Sequence, residues 1–547
     1  MSKSRSFLIL LIIAFSIFNL TFQEPPNEND FPEDDDPENP FNKLDFKNVR
    51  TFEDVNYNEI ADYDLIFLFF YSKTCEFSQF FIQEYVKAAD YCAEKKMKVK
   101  FGKIDVKSNP TVSGDYGVRS FPIVYLVNKG RKYLFEGIRT KESLLIFLER
   151  KLNDDILKIE KLSEINRYLN NSYLVFLSTL KDNTTTIFKS FHNYAKNISR
   201  FYFISCLSKE CNTKYGEDII LFKDKGKIEY SYLKNYGKFD EAKINSVQHF
   251  ASIFAVEPGE FLTPRSIDML YIYEKKSLFY IRNSSIPQQK DFDKIFFELG
   301  KELRKKEIYV FTSDRGEELK TNIGDAFSLE PAELPAIAYY ILNTGDKDSS
   351  IYLYKKINLD LKKFTKEDVK NYISDIEKGK IKRDLYSEPM SESKVVRYVQ
   401  KIIGKTFDRD VVNSKKNFFL LVVDEDMTSE EKFFMRIMRN LTFRFENDPE
   451  KNISLGFLKA EYNEVRGINI KDGDYPKAFL FTNALEKKEV IEFIPRNMSQ
   501  LSLEEVEQFL LKNLKWKDLS NKYQVNLEED EETPEPEKKE ESPQTDL

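Results

Sequence analysis

The chain has 547 residues and a formal net charge of −7, with 41% hydrophobic and 14% aromatic residues. At roughly 150 residues per domain this length predicts three or four domains, and the apolar content excludes a wholly disordered chain. The near balance of 84 basic and 91 acidic residues argues against a protein that binds nucleic acid through a basic field, so no nucleic acid partner is expected.

The charge is concentrated at the two ends of the chain. Residues 24–40 hold eight acidic and no basic residues, and residues 524–547 hold ten acidic residues against Lys538 and Lys539. Segments of this composition cannot bury enough apolar surface to fold, so we expect disorder in 24–40 and 518–547. Both lack the Asp-x-Asp-x-Asp-Gly spacing of a calcium loop, which leaves open only a weak and unselective association with calcium.

Residues 1–23 have the pattern of a secretory signal peptide, because Lys3 and Arg5 precede the apolar stretch Phe7–Phe18. This stretch is shorter than the roughly 20 residues that span a bilayer, although an uncleaved anchor is the alternative. We expect a mature chain without a membrane span, in the lumen of the endoplasmic reticulum or secreted. Glycosylation sequons compatible with secretion lie at Asn170, Asn183, Asn197, Asn283, Asn440, Asn452 and Asn497.

Residues 41–152 alternate strand and helix signals, which indicates an α/β unit. The continuous apolar run Asp64–Tyr71 predicts a strand buried on both faces. The other predicted elements are a helix at Glu76–Glu94, strands at Val99–Val106 and Ile123–Val127, and a closing helix at Lys141–Leu152.

The same alternation recurs about every 110–120 residues, which is too long for a solenoid repeat and predicts a tandem of domains. Polar breaks lie near 153–155, 257–264 and 377–392. The further predicted strands are Tyr173–Ser178, Arg200–Ile204 and Asp218–Phe222, then Ile308–Thr312 and Ala336–Leu342, then Asn417–Asp424, Ile453–Ala460 and Lys477–Thr482.

Cys75 stands between the first buried strand and the following helix. The free backbone N–H groups and the dipole of a helix N-terminus stabilise a thiolate, which is the nucleophilic form of sulfur. Further along, Phe121 and Pro122 precede a predicted strand, where a cis proline is expected because the ring tolerates the cis form and cannot join a central ladder.

The other cysteines are predicted to play structural parts. Four cysteines are too few for a disulfide scaffold, and with two histidines in the chain we expect no metal site and no cofactor. Cys92 falls in a predicted helix and is interpreted as a buried thiol. Cys206 and Cys211 lie in one loop-like segment, where a short-loop disulfide and two free thiols are both open.

The segment Phe70–Ser78 (FYSKTCEFS) resembles the active-site stretch of thioredoxin domains in the protein disulfide isomerase family. Pro122 matches the cis proline of that family, Arg119 the arginine just before it, and Asp105 the aspartate that ends the next strand. Tyr386–Pro389 (YSEP) is similar to the linker before the last thioredoxin domain of the family.

Over residues 41–517 the chain resembles the family's a–b–b′–a′ arrangement. The resemblance implies four thioredoxin-like domains, each a central mixed sheet with helices on both faces. It implies that these domains are 41–152 with the Cys75-Glu76-Phe77-Ser78 motif, 153–258 (b), 259–377 (b′) and 378–517 (a′, without cysteine).

The sequence departs from the family's pattern at two positions of the Trp-Cys-x-x-Cys motif and at one position before it. Thr74 replaces the tryptophan, Ser78 replaces the second cysteine, and Phe69 stands where the family keeps a buried glutamate. In the last domain, residues near Met427 and Glu430 stand where the two cysteines are expected, while Tyr475-Pro476 retains the cis proline. Without a neighbouring thiol, Cys75 cannot hold an intramolecular disulfide.

The resemblance implies a folding factor of the secretory pathway that binds unfolded or cysteine-bearing clients and acts as a poor oxidase. Its implied catalytic residues are Cys75, Ser78 and Arg119, and its implied substrate groove is formed by Phe77, Phe121 and Pro122. The alternatives are a redox-inactive chaperone or scaffold, and a calcium store similar to calsequestrin. A store requires acidic residues over its whole surface, whereas here they are confined to the ends.

Overall fold

The computed structural model describes residues 39–516, apart from 119, 239–245, 274, 284, 315–326, 344–349, 389–394, 397–398, 425–426, 447–451, 469–474 and 484–488. The predicted signal peptide, most of the predicted acidic segment 24–40 and the tail 518–547 lie outside the described residues. The described strands form three sheets of five strands and one of six, which confirms the α/β tandem of four thioredoxin-like domains. No helix among the described residues is long and apolar enough to cross a membrane.

The first domain is a sheet with helices on both faces. Its elements are α1 (Pro40–Lys43), β1 (Arg50–Thr51), β2 (Leu65–Tyr71), α2 (Glu76–Glu94), β3 (Lys100–Asp105), α3 (Pro110–Asp115), β4 (Ile123–Asn128), β5 (Arg131–Leu134) and α4 (Lys141–Leu152). The strand order is β1-β3-β2-β4-β5, with β1, β3 and β2 parallel and β4 and β5 antiparallel to their neighbours. Phe81 of α2 and Phe147 of α4 pack on one face, and Val112 of α3 packs on the other.

The second domain repeats this arrangement. Its elements are β6 (Leu157–Lys158), α5 (Ile165–Leu169), β7 (Val175–Ser178), α6 (Thr186–Asn197), β8 (Tyr202–Ser205), α7 (Lys209–Tyr215), β9 (Ile219–Lys223), β10 (Ile228–Ser231) and α8 (Ser246–Phe254). The strand order is β10-β9-β7-β8-β6, in which β6, β8 and β7 are parallel. Phe191 of α6 and Phe250 of α8 pack on one face, and Leu169 of α5 packs on the other.

The third domain has the same strand order in its sheet as the first. Its elements are β11 (Glu260–Phe261), α9 (Pro264–Tyr273), β12 (Lys276–Arg282), α10 (Pro287–Asp291), α11 (Asp293–Arg304), β13 (Ile308–Asp314), β14 (Ala336–Asn343), β15 (Ser350–Lys356) and α12 (Lys366–Glu377). The order is β11-β13-β12-β14-β15, with the first three strands parallel. Phe296 of α11 and Val369 of α12 pack on one face, and Leu270 of α9 packs on the other.

The fourth domain adds one edge strand. Its elements are β16 (Val395–Val396), β17 (Val399–Lys401), α13 (Gly404–Phe407), β18 (Asn417–Val423), α14 (Ser429–Glu446), β19 (Ile453–Lys459), β20 (Lys477–Phe481), β21 (Val490–Phe493) and α15 (Leu503–Leu514). The strand order is β16-β17-β19-β18-β20-β21. Phe434 of α14 and Val506 of α15 pack on one face, and Phe407 of α13 packs on the other.

Short helical turns connect several of these elements. They lie at Tyr57–Asp62, Leu162–Glu164, Asp224–Gly226, Pro331–Glu333 and Met498–Gln500, with π-helical turns at Tyr232–Tyr236 and Asp408–Val412.

The second and third domains share one apolar core. A single cluster of buried side chains runs from Phe203 in β8 to Phe311 in β13. At the contact, the hydroxyl groups of Tyr194 and Tyr273 are hydrogen-bonded at 2.7 Å. A continuous apolar core of this kind indicates a stable interface between the two domains, because hydrophobic burial stabilises an interface in proportion to the apolar area removed from water.

Arg150 of α4 joins the first domain to the second. Its side chain is fully buried, and burial lowers the pKa of its guanidinium to about 10. The guanidinium donates to the backbone carbonyl groups of Asp155, Ala195, Ile198, Ser199 and Phe201. Several of these carbonyls lie at the end of α6, where a helix leaves its acceptors unpaired and a cation is favourable.

Candidate active site

Cys75 is the residue immediately before α2, at the end of the loop that leaves β2. Its backbone N–H donates to the carbonyl of Ser72 at 3.1 Å, and its own carbonyl accepts from the N–H of Gln79 at 2.9 Å. The side chain is half-buried and carries a free thiol. The sulfur therefore sits at the N-terminal end of a 19-residue helix, as the sequence predicted, which is the positive end of the helix dipole.

The cis Phe121-Pro122 bond faces the thiol. The Cys75 Sγ lies 4.0 Å from the carbonyl oxygen of Phe121, and the Phe121 side chain is 38% exposed. Phe77 is half-buried, and Phe80, on the same helix, is 45% exposed. The structure thus brings Cys75, Phe77, Phe121 and Pro122 to one end of the first domain, with the exposed Phe121 next to the sulfur.

Ser78 is fully buried and does not share the exposure of the thiol. Its hydroxyl accepts a hydrogen bond from the backbone N–H of Ser72 at 3.4 Å. This contact satisfies the N–H that follows the end of β2. The catalytic part that the resemblance implied for Ser78 stays a prediction.

Phe69 is an apolar residue beneath the active-site loop. It is fully buried, and its ring lies 5.1 Å from the ring of Tyr85 and 5.5 Å from that of Phe81. A side chain packed in this way offers no carboxylate for proton transfer. The chain therefore places no acid at the position where the resemblance expects one.

Arg139, in the loop between β5 and α4, is a neighbour of the site that the sequence reasoning missed. Its guanidinium lies 5.8 Å from the centroid of the Phe77 ring. Burial lowers the pKa of Arg139 to about 10, and the attraction of the Cys75 sulfur opposes that shift. The Arg139 guanidinium is therefore an electrostatic neighbour of the Cys75 sulfur. No motif marks Arg139 in the sequence, and the predicted Arg119 lies outside the described residues.

The N-terminal end of the described chain supports the same loop. Asn39 is fully buried; its side chain caps α1 by accepting from the N–H of Phe41 and donates to the carbonyl of Lys73 at 3.2 Å. Thr74 exchanges a hydrogen bond with Ser72 at 3.0 Å and accepts one from the Lys107 Nζ at 2.7 Å. These contacts fix the loop that carries the thiol.

The remaining cysteines lie in cores. Cys92 of α2 is buried, and burial raises the pKa of its thiol to about 11. Cys206 and Cys211 are joined by a disulfide with a Cα–Cα distance of 6.2 Å, and both are fully buried. Cys211 belongs to α7, which corrects the loop-like reading of that segment.

The fourth domain keeps the scaffold of the site without its nucleophile. The Tyr475-Pro476 bond is cis, as the sequence predicted, and so is Leu334-Pro335 in the third domain. Helix α14 begins at Ser429, so the position that matches Cys75 is Thr428 and the position that matches Ser78 is Glu431. The sequence placed these equivalents one residue earlier, at Met427 and Glu430, because the connecting loop is one residue longer than in the first domain.

No group of three or more His, Cys, Asp or Glu side chains in the part of the chain that the structure describes is arranged to hold a metal ion. The described side chains of the candidate site are the Cys75 sulfur, the Arg139 guanidinium, and the rings of Phe77, Phe80 and Phe121, which we call the aromatic rim.

A half-buried cysteine at a helix N-terminus, opposite a cis proline in a mixed sheet, defines a protein of the thioredoxin superfamily. The thioredoxin family model matches residues 48–150. Over most of its length the chain is similar to curated members of the protein disulfide isomerase family. One relative is the protein disulfide-isomerase of Drosophila melanogaster, 22% identical over 438 residues, which cover 79% of this chain and 84% of that protein.

Two further comparisons describe the similarity. Protein disulfide-isomerase A4 of Bos taurus is 20% identical over 461 residues, covering 80% of this chain and 67% of that protein. Among solved structures, the zinc-bound form of human ERp44 covers 64% of this chain and 99% of its own, at 16% identity and a TM-score of 0.29.

Proposed function

We propose that this protein is a folding factor of the protein disulfide isomerase type that exchanges disulfides with clients through Cys75 alone. The observation that carries the proposal is the placement of a free, half-buried Cys75 thiol before α2, 4.0 Å from the Phe121 carbonyl. The relatives named protein disulfide-isomerase support the reaction class.

The proposed reaction begins when the Cys75 thiolate attacks one sulfur of a client disulfide. A bond forms between Cys75 and that sulfur, the client disulfide breaks, and the second client sulfur leaves as a thiolate. Another client thiolate then attacks the mixed disulfide and releases Cys75, so the client is rearranged without net oxidation or reduction. Arg139 stabilises the Cys75 thiolate at both ends of this cycle, and the resemblance assigns Arg119 a part in the same exchange.

The aromatic rim gives the site a means of holding an unfolded client. Phe80 and Phe121 are 45% and 38% exposed, and burial of such rings against a client contributes about 1–2 kcal/mol each. Phe77, Phe121 and Pro122 form the proposed groove. Because position 78 carries no thiol, only a client thiol can resolve the mixed disulfide at Cys75. Mixed disulfides with clients therefore accumulate.

The setting proposed for this chemistry is the lumen of the endoplasmic reticulum, or the outside of the cell. The support is the signal-like pattern of residues 1–23 and the family of the relatives. The proposed domain limits are 41–152, 153–258, 259–377 and 378–517, between the acidic segments 24–40 and 518–547. Weak calcium association of these acidic segments remains a proposal.

The experiment that tests the exchange uses the full chain with scrambled ribonuclease, alkylation to stop the reaction, and non-reducing gels. Wild type is expected to form mixed disulfides with ribonuclease that a reductant cleaves, and Cys75→Ser is expected to form none. Cys92→Ala is the matched control, since it removes a buried thiol and should leave the adducts unchanged. Equal amounts of adduct in wild type and Cys75→Ser would show that Cys75 is not the residue that reacts.

A redox-inactive chaperone is the second candidate, and the exposed Phe80 and Phe121 rings favour it because they bind without chemistry. Suppression of client aggregation by Cys75→Ser distinguishes the two. If wild type forms no adduct and both proteins suppress aggregation equally, the non-covalent function holds.

A further inference from the structure

Three lysines, Lys73, Lys103 and Lys107, lie beside the loop that carries Cys75, and we call them the lysine patch. Lys73 is two residues before the thiol, and the Lys107 Nζ donates to the hydroxyl of Thr74 at 2.7 Å. None of the three lysines forms an ion pair with another described residue. The patch is therefore a positive surface next to the thiol, without a direct counter-charge in the described part of the chain.

The lysines of the patch act on one another. Burial and the neighbouring Lys73 ammonium lower the pKa of Lys103, and the carboxylates of Asp105 and Glu53 oppose this shift only in part. The Lys103 Nζ lies over the Phe46 ring, 4.5 Å from its centroid. Because ammonium groups that repel each other are stabilised by a negative charge close by, the patch favours an anion beside it.

The chain enters the first domain at this same place. The Asn39 side chain is fully buried and donates to the carbonyl oxygen of Lys73 at 3.2 Å. Two residues further on, the Phe41 ring stacks on the Tyr71 ring with the centroids 4.2 Å apart, which holds this stretch against the end of β2. The chain that precedes Asn39 therefore starts beside the active-site loop.

Residues 33–38 (EDDDPE), directly before Asn39, carry five carboxylates in six positions. They lie outside the described residues, but their point of attachment does not. At about 3.3 Å per residue, a stretch of six residues reaches at most about 20 Å from Asn39, so its carboxylates stay near the lysine patch. A short tether gives an effective concentration of the order of millimolar, at which ion pairs that are weak singly form together.

We propose that residues 33–38 dock on the lysine patch and thereby set the charge selectivity of the Cys75 site. Five carboxylates meet three ammonium groups, so docking places an excess of negative charge next to the thiol. Disulfides that carry negative charge are then repelled from Cys75, whereas neutral and positively charged ones approach. The inference rests on the proposed function only in that Cys75 reacts with disulfides, because the docking itself does not depend on the thiol.

The first measurement compares the rates at which Cys75 of the full chain reacts with two aromatic disulfides at pH 8. One is dithiobis(nitrobenzoate), a dianion, and the other is dithiodipyridine, which is neutral. The Cys75 thiolate attacks either reagent, a mixed disulfide forms, and one coloured thiol leaves. The ratio of the two rates cancels the thiolate fraction of Cys75 and reports on charge.

Replacing the five acids of 33–38 by asparagine or glutamine is expected to raise this ratio, anionic over neutral, about fivefold at low salt and little at about 0.5 M salt. The matched control replaces the five acids of 528–532 in the same way. It removes the same charge from the other end of the chain and should leave the ratio unchanged.

A lysine variant separates docking from simple repulsion by an acidic chain. With Lys73 and Lys107 both replaced by glutamine, neutralising 33–38 should change the ratio less than about twofold, because a segment that does not dock lies on average farther from the thiol. The same effect of neutralisation in both backgrounds would overturn the docking.

Zero-length cross-linking measures the docking without Cys75. A water-soluble carbodiimide joins carboxylates to ammonium groups in contact, and peptide mapping of the full chain should find 33–38 joined to Lys73 or Lys107. Lys96 and Lys98 are the control lysines, since they are exposed beyond the far end of α2, about 28 Å away along the helix axis. The cross-links to the patch should fall severalfold at about 0.5 M salt.

Equal cross-linking of 33–38 to the patch and to the control lysines, or none to the patch, would overturn the proposal. Cross-links to the patch from the tail 518–547 would overturn it in favour of the tail as occupant, and cross-links lost on dilution would do so in favour of a second copy of the chain. If Cys75 reacts with neither disulfide while the cross-links form, the exchange hypothesis fails alone. If Cys75 reacts and neutralising 33–38 leaves the ratio unchanged, the selectivity hypothesis fails alone.

Discussion

The Glu431 carboxylate in the fourth domain accepts a hydrogen bond from the backbone N–H of Asp424 at 2.8 Å. Its second oxygen accepts from the N–H of Thr428 at 2.7 Å, and the side chain is fully buried. Glu431 is the third residue of α14, just as Ser78 is the third residue of α2. In both domains this position satisfies the N–H that follows the central strand.

The third domain makes the same contact by another route. There the Gln289 side chain of α10 accepts from the N–H of Asn283, one residue after β12, at 2.7 Å. Three domains thus place a polar side chain against the first free N–H beyond the strand. An N–H buried without such a partner costs about 1–3 kcal/mol. In each of these domains a polar side chain at the third helical position therefore contributes to stability.

The first prediction concerns Ser78→Cys, which places a second thiol one helical turn from Cys75. The introduced thiol attacks the mixed disulfide at Cys75, so a disulfide forms between Cys75 and the introduced cysteine, and the client leaves with a free thiol. Because this attack is intramolecular, adduct lifetime is expected to fall by about tenfold or more. Quenched non-reducing gels measure it. Ser143→Cys is the control, since Ser143 is equally buried but lies in α4, and an unchanged lifetime in Ser78→Cys would contradict the prediction.

The second prediction is that Glu431→Ala destabilises the fourth domain by about 2–3 kcal/mol. The substitution leaves the N–H groups of Asp424 and Thr428 without their acceptor in a partly buried place. Urea unfolding followed by tryptophan fluorescence reports on this domain, because Trp516 packs 5.7 Å from the Phe445 ring. Lys432→Ala, an exposed neighbour, should cost under about 0.5 kcal/mol. A loss of the same size in both variants would show that the buried carboxylate does not matter.

The third prediction concerns thiol alkylation. Burial raises the pKa of Cys92 to about 11, so its thiol stays protonated and shielded at pH 8, and thiolate is the reactive form. Mass spectrometry after a short treatment with iodoacetamide at pH 8 should find the label on Cys75 and none on Cys92. Labelling of Cys92 is expected only after denaturant is added or as the pH approaches 11. Equal labelling of both cysteines in the folded chain would contradict this.

The fourth prediction separates the sequons by burial. Asn440 lies in α14 and is 6% exposed, whereas Asn170, Asn183, Asn197, Asn452 and Asn497 are exposed. A glycan on Asn440 would have no room in the folded domain, so we expect this sequon to be empty in chains secreted by a eukaryotic host. Glycopeptide mapping checks it, with the exposed sequons as internal controls. Full occupancy of Asn440 would show that this part of α14 is accessible.

The sequence predicted most of the fold because the central strands are buried on both faces and appear as unbroken apolar runs. Helices Glu76–Glu94 and Lys141–Leu152 agree with the structure at both ends, and the cis bonds at Pro122 and Pro476 follow from their place before strands. Edge strands such as β16 were missed, because two residues of one strand give no periodic signal.

The site was harder to predict where it depends on contacts between distant residues. The position of Cys75 was predicted correctly because it depends only on the local strand-to-helix turn. Arg139 was missed because only the packing of a separate loop brings it to Phe77. The buried state of Ser78 was missed because a serine in that position reads equally as an exposed or a packed residue, and the one-residue shift to Thr428 and Glu431 follows from loop length.

Arg150 decides which pieces of this protein can be studied alone. A fragment that ends at the predicted limit of the first domain, residue 152, would retain this arginine and lose all of its carbonyl acceptors, which belong to residues 155, 195, 198, 199 and 201. The complementary fragment would begin without the cation that closes the end of α6. In an isolated first domain Arg150 would therefore lie in a non-native environment, and thiol reactivity measured on it need not match that of the full chain. The smallest fragment that keeps the native contacts of Arg150 contains the first two domains.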